Sequence, residues 1–476
     1  MYNNTSEIEE FILRNHNKKV VVVQGLGFVG AVMSIVVANS DVEEYAVIGI
    51  DLPGKRDVID KLNQGIFPIE STDSKVTAYF EAVIKRGNFI ATDNTCVYGY
   101  ADVVIIDINL DVQKESDENY ELKKFSVDLG NFTKAVSSIA ENCKEDLLVL
   151  VETTVPPGTC QNLIHPIFKS AFEKRGLKYG YKIAHSYERV MPGPGYIDSI
   201  KNFYRVFSGI DEKSAEAAEV FLKTIISTEQ YPLTRLKNTN ASEMSKVLEN
   251  SFRAMNIAFI QEWTEYAEKS NVNLFEVIDA IRMRPTHKNI MKPGIGVGGY
   301  CLTKDPLLAS WSAQNWFGAD ALNQSEMAVR INDKMPAHTY ERFADLFENG
   351  VNGKSVLILG VSYLQNVGDT RYSPLELIAR KLTDNKALVK LHDPFLDQWE
   401  NTSYILSKDD EILSEKYDGV IIGTPHDYYI KDGFLEKILE ANDHLRIVDP
   451  HGAINSTIKN KYNGKHIFRT IGIGES

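Results

Sequence analysis

The sequence predicts an α/β fold in which two parallel-sheet domains flank a helical middle region. Short, continuous apolar runs occur four times before residue 153 and four times after residue 353, and segments long enough for helices separate them. Strands that are apolar on both faces and alternate with helices are typical of a parallel sheet covered on both sides. Between the two groups, residues 240–269 contain neither glycine nor proline and follow a helical pattern.

The first sheet domain begins with a strand, a tight turn and a helix. Lys19–Gln24 is predicted to be a buried strand, and Ala31–Asn39 is predicted to be the helix after the turn. Three later apolar runs predict further strands of this sheet, namely Ala46–Asp51, Ala101–Asn109 and Asp146–Glu152.

The second sheet domain begins near Gly353 and repeats the alternation of strands and helices. Its first predicted strand ends in a segment with a single glycine, Leu359-Gly360-Val361-Ser362, so the domain lacks a dinucleotide-binding motif. Two interpretations of this domain remain: a structural copy of the first domain, or a site for another nucleotide. The predicted strands are Lys354–Gly360, Leu388–Asp393, Asp418–Gly423 and Leu445–Asp449.

Two other segments have weaker patterns. The first 17 residues are polar and are predicted to be an extension or a short helix. The acidic stretch Glu115–Glu121 is predicted to be a solvated loop.

The long central helix has one apolar stripe, which indicates core or a subunit interface. The stripe consists of Met244, Leu248, Met255 and Phe259.

Composition excludes several classes of protein. The 476 residues are 43% hydrophobic and 25% charged, as in ordinary globular proteins, and the net charge of −13 with no basic tract argues against a nucleic-acid surface. Four cysteines do not make a disulfide framework and favour a reducing compartment, so the chain is expected in the cytoplasm. The uncharged segment Val20–Ser40 has the length of a membrane span, but its glycines and Gln24 favour the strand–turn–helix, so no membrane association is expected.

The turn after the first strand is a dinucleotide-binding motif, GLGFVG. The first glycine makes the turn, the second lets a pyrophosphate approach the backbone, and the third lets the helix pack closely. Asp51 ends the next strand and can accept hydrogen bonds from a ribose diol while repelling a 2′-phosphate, which favours NAD over NADP. The residues predicted to contact this cofactor are Gly25, Gly27, Phe28, Val29, Gly30 and Asp51.

A glycine-rich segment from Pro293 to Asp305 contains the second chemical motif. Its four glycines leave backbone amides exposed next to Cys301, which could act as a nucleophile with Asp305 as an acid or base. A glycine-rich turn around a buried cysteine is the alternative.

A third candidate group lies in the long helix. Lys246 and Asn250 are one turn apart and could supply a proton and stabilise an oxyanion, and Arg253 follows three residues later. A solvated polar face is the alternative for this group.

Six ordered motifs together resemble the UDP-glucose/GDP-mannose dehydrogenase family, over a match from about Lys19 to Asn455. They are GLGFVG, VETTVPPGT (151–159), SYERVMPG (186–193), NASEMSKVLENSFRAMNIAFIQE (240–262), GIGVGGYCLTKDP (294–306) and GVSYLQNVGDTRYSP (360–374).

The resemblance implies a three-part architecture. It implies an N-terminal NAD-binding Rossmann domain, a helical dimer-forming middle, and a C-terminal Rossmann-like domain that helps to bind the nucleotide sugar. We accordingly predict an extension at 1–17 and domains at 18–215, 216–335 and 336–476.

The resemblance also implies a role for each matching residue. Cys301 would be the nucleophile, Glu188 would assist thioester hydrolysis, and Lys246, Asn250 and Asp305 would handle the proton and the oxyanion. The further cofactor contacts that it implies are Glu152, Thr154 and Lys304. The predicted substrate contacts are Arg189, Arg253, Gly298, Tyr300 and Arg371, and no metal site is predicted.

The implied reaction is the oxidation of the C6 alcohol of a UDP-sugar to a uronic acid, in two NAD-dependent steps, for surface polysaccharide. SYERVMPG and GIGVGGYC resemble the UDP-N-acetylhexosamine branch most, UDP-glucose is the runner-up, and GDP-mannose is the weakest match. A two-electron hydroxy-acid dehydrogenase and a non-enzymatic sensor are the alternatives from other classes.

Three positions depart from the family pattern. Leu110-Asp111 stand where Thr-Pro is common, which removes a hydroxyl that positions water. Leu364-Gln365 stand where a lysine is common, which removes one charge contact to substrate, and Tyr187 replaces a common proline.

Overall fold

The computed structural model describes residues 5–69, 71, 73–117, 121–187, 189–190, 193–400 and 402–474. These residues form two compact units. The first contains Met1–Val112, Val127–Leu248 and Trp311–Asp320, and the second contains Gln113–Ser126, Glu249–Ser310 and Ala321–Ser476.

The strands of the described chain are, in chain order, β1 (Lys19–Gln24), β2 (Tyr45–Ile50), β3 (Phe89–Thr92), β4 (Val103–Ile106), β5 (Val112–Ser116), β6 (Leu122–Val127), β7 (Leu148–Val151), β8 (Lys182–Tyr187), β9 (Val206–Gly209), β10 (Thr234–Arg235), β11 (Ser355–Leu359), β12 (Leu388–His392), β13 (Gly419–Ile422), β14 (Arg446–Asp449) and β15 (Ile467–Thr470).

The helices are α1 (Thr5–Arg14), α2 (Phe28–Ala38), α3 (Arg56–Asn63), α4 (Ser74–Arg86), α5 (Gly130–Asn142), α6 (His165–Arg175), α7 (Tyr196–Lys201), α8 (Glu212–Ile225), α9 (Thr239–Lys269), α10 (Leu274–Arg282), α11 (Asp305–Phe317), α12 (Asn323–Ala344), α13 (Pro374–Asp384), α14 (Asp409–Ser414), α15 (Asp427–Ile430), α16 (Phe434–Ala441) and α17 (Ser456–Lys461). A π-helical turn, Cys160–Ile164, precedes α6, and short 3₁₀ segments lie at Pro53–Lys55, Thr95–Gly99 and Pro285–His287.

The first unit contains an eight-stranded sheet in the order β10-β9-β8-β7-β4-β1-β2-β3. The pairs are parallel except β8 with β9. Both faces are covered, because β1, β2, β4 and β7 are almost entirely buried. The strand order reverses beside β1, so the carboxyl ends of β1 and β4 border a crevice of the kind that binds dinucleotides in Rossmann folds.

The second unit contains a five-stranded parallel sheet in the order β12-β11-β13-β14-β15. Its first strand, β11, is followed by Gly360, with φ +86°, as β1 is followed by Gly25, with φ +99°. Its second strand is followed by Asp393, whose carboxylate accepts hydrogen bonds from the N–H groups of Val361 and Ser362. The first sheet uses Asp51 in the corresponding way, so the second domain is a structural copy that lacks the three-glycine motif.

The predicted α/β fold class with two parallel sheets and a helical middle is confirmed. Each predicted strand overlaps an observed one, and β1 has the predicted bounds. The helix after the glycine turn begins at Phe28, three residues before the predicted start, because the last three positions of the motif already belong to it. At the N-terminus the structure has a helix, α1, whose Ile8 and Phe11 are fully buried.

The prediction of a solvated loop at Glu115–Glu121 is wrong for its first two residues, Glu115 and Ser116, whereas Asp117 and Glu121 lie outside the strands. Glu115 belongs to β5, which pairs with β6 in a two-stranded sheet, and residues 118–120 lie outside the described residues. Ion pairs hold this hairpin: Lys114 with Asp333 at 3.0 Å and Glu121 with Lys334 at 3.0 Å. Glu121 accepts hydrogen bonds from Lys334 and Lys123, and these two cations, Lys334 the more strongly, hold the pKa of Glu121 below its ordinary value.

The apolar stripe of α9 is largely exposed in the chain. Met244, Leu248 and Phe259 expose 52%, 63% and 51% of their surface, so the core alternative does not apply to them. Among the residues that the structure describes, no helix combines the length and the apolar character needed to cross a bilayer.

Candidate active site

The glycine motif of the first unit forms a turn that only glycine can make at two of its three positions. A Cβ on Gly25 would lie 2.4 Å from the carbonyl oxygen of Asp107, and a Cβ on Gly30 would lie 1.8 Å from that of Gly25. A Cβ on Gly27 would have no atom within 4 Å. Gly27 is therefore free of packing constraints, and its backbone is open to a ligand at the N-terminus of α2.

The predicted ribose-binding acid lies beside this turn. Asp51 directly follows β2, and its two carboxylate oxygens accept hydrogen bonds from the N–H groups of Leu26 (2.8 Å) and Leu52 (2.7 Å). Phe28 and Val29 are the first two residues of α2. The structure thus brings together all six residues that the motif predicts for the cofactor.

The strand-end residues Glu152 and Thr154 follow β7. Thr154 is partly buried, whereas Glu152 is 2% exposed and its carboxylate is ion-paired with Arg205, which is equally buried. A buried carboxylate is tolerable only with such a partner. Sequence reasoning did not find Arg205, because no local pattern connects it to Glu152.

Lys246 lies in the first turns of α9, within the first unit. Its ammonium nitrogen is 5.4 Å from the centroid of the Tyr187 ring, and the side chain is mostly buried. Arg189 approaches the same ring, with its guanidinium carbon 5.2 Å from the centroid, and donates a hydrogen bond to the carbonyl oxygen of Tyr204.

A buried carboxylate, Glu243, lies three residues before Lys246 on α9. It accepts hydrogen bonds from the N–H groups of Gly158 (2.5 Å) and Cys160 (2.9 Å), in the loop that follows the VETTV segment. Burial outweighs these hydrogen bonds and raises the pKa of Glu243 to about 7. Glu243 lies within the motif at residues 240–262, but the sequence analysis assigned it no role.

Cys301 is exposed, which excludes the alternative of a buried structural cysteine. It lies in a turn directly before α11, and its carbonyl oxygen accepts hydrogen bonds from the N–H groups of Lys304 (3.2 Å) and Asp305 (2.9 Å). Cys301 therefore lies one turn before the first residue of α11, with an exposed side chain.

Three predicted residues of the second unit form one cluster. The Asn250 amide donates a hydrogen bond to one Asp305 oxygen (2.6 Å), and the Lys304 ammonium donates to the other (2.8 Å). Lys304 also lies 4.5 Å from the centroid of the Tyr300 ring. Asp305 is fully buried, so both of its partners compensate for its loss of solvation.

The segment before Cys301 packs against the GVSYLQNVGDTRYSP loop. A Cβ on Gly298 would lie 2.4 Å from the Cβ of Tyr363, and a Cβ on Gly299 would lie 2.7 Å from the Tyr363 ring. The N–H of Gly299 donates a hydrogen bond to the carbonyl oxygen of Arg371 (2.9 Å). Two motifs whose first residues are 66 positions apart in the sequence thus meet through glycines that leave room for Tyr363.

Asp369 organises the side chains of this loop. Its carboxylate accepts hydrogen bonds from Arg371 Nε and Nη2, the shortest at 2.6 Å. Burial, then the charge of Asp369, raises the pKa of Tyr363 to about 12, and both Tyr363 and Arg371 interact electrostatically with Cys301. Sequence reasoning found Arg371 but missed Tyr363 and Asp369.

The remaining predicted residues have fewer described contacts. Arg253 is exposed on α9, and Glu188 lies outside the described residues. At the departures from the family pattern, Leu110 is buried at 2% exposure and the Gln365 amide donates a hydrogen bond to Asp427 (2.9 Å).

Comparisons with known proteins cover almost the whole chain. Three models of the UDP-glucose/GDP-mannose dehydrogenase family match: the NAD binding domain at residues 18–226, the central domain at 240–334 and the UDP binding domain at 357–461. A UDP-N-acetyl-D-mannosamine dehydrogenase from Pyrococcus horikoshii is 30% identical over 458 residues, which cover 96% of this chain and 99% of that protein. The chain belongs to the UDP-glucose/GDP-mannose dehydrogenase family.

Two further comparisons agree. A UDP-N-acetyl-D-mannosamine dehydrogenase from Methanocaldococcus jannaschii is 31% identical over 424 residues, covering 87% of this chain and 88% of that one. A solved structure of the UDP-D-ManNAc dehydrogenase from Pyrococcus horikoshii is 28% identical, with a TM-score of 0.77 over 95% of this chain and 99% of that one.

Membership confirms the predicted enzyme class and cofactor: the protein is an NAD-dependent nucleotide-sugar dehydrogenase. The turn fits this cofactor, because Gly27 leaves its backbone open at the N-terminus of α2 and Asp51 presents a carboxylate at the adjacent strand end. Gly25 to Gly30 would hold the pyrophosphate and Asp51 a ribose hydroxyl.

Proposed function

We propose that this dehydrogenase oxidises the C6 alcohol of a UDP-N-acetylhexosamine to the uronic acid through a covalent intermediate on Cys301. The observation that carries the proposal is the exposed thiol of Cys301 at the start of α11, whose first residue, Asp305, is hydrogen-bonded to Asn250. A nucleophile next to groups that handle protons is what a two-stage oxidation of an alcohol requires.

The choice of substrate rests on the two relatives. Both are named UDP-N-acetyl-D-mannosamine dehydrogenases, and they align with 87% or more of this chain. UDP-glucose is the second candidate. The Arg371 guanidinium, held by Asp369, provides a cation for the pyrophosphate of either substrate.

The first oxidation needs a base. Two NAD molecules, bound one after the other, would supply the hydride acceptors for the two oxidations. Lys246, or a water held by Asp305, takes the proton of the C6 hydroxyl, and the product of this step is an aldehyde.

The second oxidation needs the thiol. The Cys301 thiol loses its proton to water as its sulfur bonds to C6 of the aldehyde, and the resulting thiohemiacetal oxyanion is stabilised by Lys246 and Asn250. Loss of a second hydride from C6 of this oxyanion leaves a thioester. Water, assisted by Glu188, then breaks the sulfur–carbon bond, releases the carboxylate and returns the proton to the thiol. Leu110 stands where a threonine is common in the family and has no hydroxyl. Other residues must therefore position the water that attacks the thioester.

The decisive experiment measures NADH formed per sugar consumed with a panel of UDP-N-acetylhexosamines, UDP-glucose and GDP-mannose, with product masses. We expect two NADH per UDP-N-acetylhexosamine and a product with the mass of the uronate. One NADH per substrate would instead indicate the two-electron class of dehydrogenase, and no turnover of any sugar would support a sensor.

Replacing Cys301 by serine tests the covalent step. We expect Cys301→Ser to lower uronate formation by about a thousandfold or more, because a serine hydroxyl is a far weaker nucleophile, and to leave NAD affinity unchanged. Mass spectrometry of the product and an NAD titration provide the measurement. Cys96→Ser, the same change at a partly buried cysteine of the first unit, is the matched control and should keep full turnover. Normal uronate formation by Cys301→Ser would refute the mechanism.

We further propose that the enzyme is a homodimer joined through α9. Six large apolar side chains recur on this helix with 45–63% of their surface exposed, which is unusual for a surface that meets only water: Met244, Leu248, Phe252, Phe259, Trp263 and Tyr266.

We also propose that the enzyme works in the cytoplasm, because a reduced Cys301 requires a reducing compartment. There the uronate would serve as a precursor of surface polysaccharide.

A further inference from the structure

Tyr187 is a buried tyrosine at the end of β8 that contacts two consecutive residues of α9. It is 1% exposed, and its hydroxyl shares a hydrogen bond of 2.7 Å with the Ser245 hydroxyl. The face of its ring lies 5.4 Å from the ammonium nitrogen of Lys246. One side chain thus fixes the helix through Ser245 and meets the functional group of the next residue.

The contact between ring and ammonium is attractive. The π-face of an aromatic ring carries negative charge and attracts a cation within about 6 Å, more strongly where water is excluded. Lys246 is only 8% exposed, so its ammonium has lost most of its hydration, which strengthens its attraction to the ring. A flexible four-carbon side chain otherwise has many rotamers, and the ring restricts them.

The same ring meets a second cation. The guanidinium carbon of Arg189 is 5.2 Å from the centroid, and Arg189 Nη2 is 3.5 Å from the Tyr187 hydroxyl. Arg189 is itself fixed by a hydrogen bond to Tyr204 and by a contact with the Phe203 ring at 5.7 Å. Two cations, the buried Lys246 and the partly exposed Arg189, therefore share one aromatic ring.

We propose that Tyr187 is a positioning residue for Lys246, whose ring holds the lysine ammonium in its working place. The inference rests on the proposed function of Lys246 as a proton-handling group. Tyr187 itself is not proposed to exchange protons, because its hydroxyl is engaged by Ser245.

Kinetics of two substitutions separate the ring from the hydroxyl. Tyr187→Leu removes the aromatic face and is expected to lower kcat about 10- to 100-fold, as misplacement of a catalytic group does, with KM for NAD changed less than about threefold. Tyr187→Phe keeps the face and loses the hydrogen bonds of the hydroxyl with Ser245 and Arg189, so its kcat should stay within about threefold of the parent. Equal losses in both variants would overturn the proposal.

A measurement that does not need turnover locates Lys246 directly. In protein labelled with [ε-¹³C]lysine, the ε-protons of Lys246 should be shifted upfield by the ring current of Tyr187, and Lys246→Arg identifies the signal by removing it. We expect the shift to persist in Tyr187→Phe and to vanish in Tyr187→Leu. Phe203→Leu, an aromatic change that affects Arg189 and not Lys246, is the matched control and should leave the signal in place.

The two measurements distinguish the possible failures. If the parent protein oxidises no UDP-sugar, the proposed function fails, while the ring-current shift still decides where Lys246 lies. If the parent is active and Tyr187→Leu has the parent's kcat, the positioning role alone is refuted. An unshifted Lys246 signal in the parent, or one that Tyr187→Leu leaves unmoved, also refutes it.

Discussion

Glu243 shows how burial, rather than residue type, decides the behaviour of a single side chain. It is fully buried, and its carboxylate accepts two backbone hydrogen bonds that would favour the ionised form. Desolvation outweighs them and raises its pKa to about 7. The protonated carboxyl therefore connects α9, which carries Lys246, with the loop that follows β7.

Because the folded-state pKa of Glu243 is raised above the ordinary value of 4.5, the folded state holds a proton that the unfolded state has lost between pH 4.5 and 7. This contribution to stability is full below pH 4.5 and is lost as the pH rises through 7. Glu243→Gln should remove it, so the unfolding free energy of the parent should fall relative to that of the variant by roughly 2 kcal/mol from pH 5 to pH 7.5.

Urea unfolding at several pH values, followed by circular dichroism, measures the difference. Glu10→Gln on the exposed face of α1 is the control and should show no such pH-dependent change relative to the parent. A gap between parent and Glu243→Gln that is the same at every pH would contradict the assignment.

At the scale of elements, the β1–turn–α2 unit assigns different duties to its glycines. Gly25 and Gly30 are required by packing, since a Cβ at either would overlap a backbone carbonyl oxygen. Gly27 has open space around it, so packing does not require a glycine there. One motif therefore combines two glycines that packing requires with a third for which we predict a role in binding the cofactor pyrophosphate.

This division predicts opposite results for two alanine substitutions. Gly30→Ala should lower the unfolding free energy by about 3 kcal/mol or more, because its Cβ would lie 1.8 Å from the Gly25 oxygen and the helix must move. Gly27→Ala should change it by less than about 1 kcal/mol but weaken NAD binding about tenfold or more. Thermal unfolding and an NAD titration test the pair, and equal destabilisation by both changes would contradict it.

At the scale of the whole molecule, α9 has an apolar face that the rest of the described chain does not cover. Phe259, Trp263 and Tyr266 form an aromatic cluster with centroids 5.8–6.1 Å apart. In a symmetric dimer each of these residues occurs twice near the axis, so one substitution changes the interface at two points.

We predict that Phe259→Glu combined with Trp263→Glu halves the mass of the particle in solution, because like charges would face each other across the interface. Light scattering coupled to gel filtration measures that mass. Ile405→Glu, at a position that is 85% exposed in the second unit, is the control and should leave the mass unchanged. A parent that is already monomeric would refute the proposed dimer.

Local sequence patterns were enough to predict the α/β class, the strand–turn–helix that begins at Lys19, and a group of candidate cofactor residues from Gly25 to Asp51. These depend on local patterns: apolar runs set strands, glycine spacing sets the turn, and a carboxylate at the next strand end lies beside it. The short exposed pair β5 and β6 escaped prediction, because its alternating polar residues resemble a loop until ion pairs with α12 hold it.

The partners of the candidate site residues could not be predicted from the sequence, because tertiary packing brings together residues that are far apart along the chain. Glu243 meets Gly158 across 85 positions of sequence, and Arg205 meets Glu152 across 53. Tertiary packing likewise decided that the α9 stripe is exposed and that Tyr363 and Asp369 stand with Arg371 and Cys301. Burial and long-range pairing arise from how distant segments pack, and the local pattern around each residue contains no record of that packing.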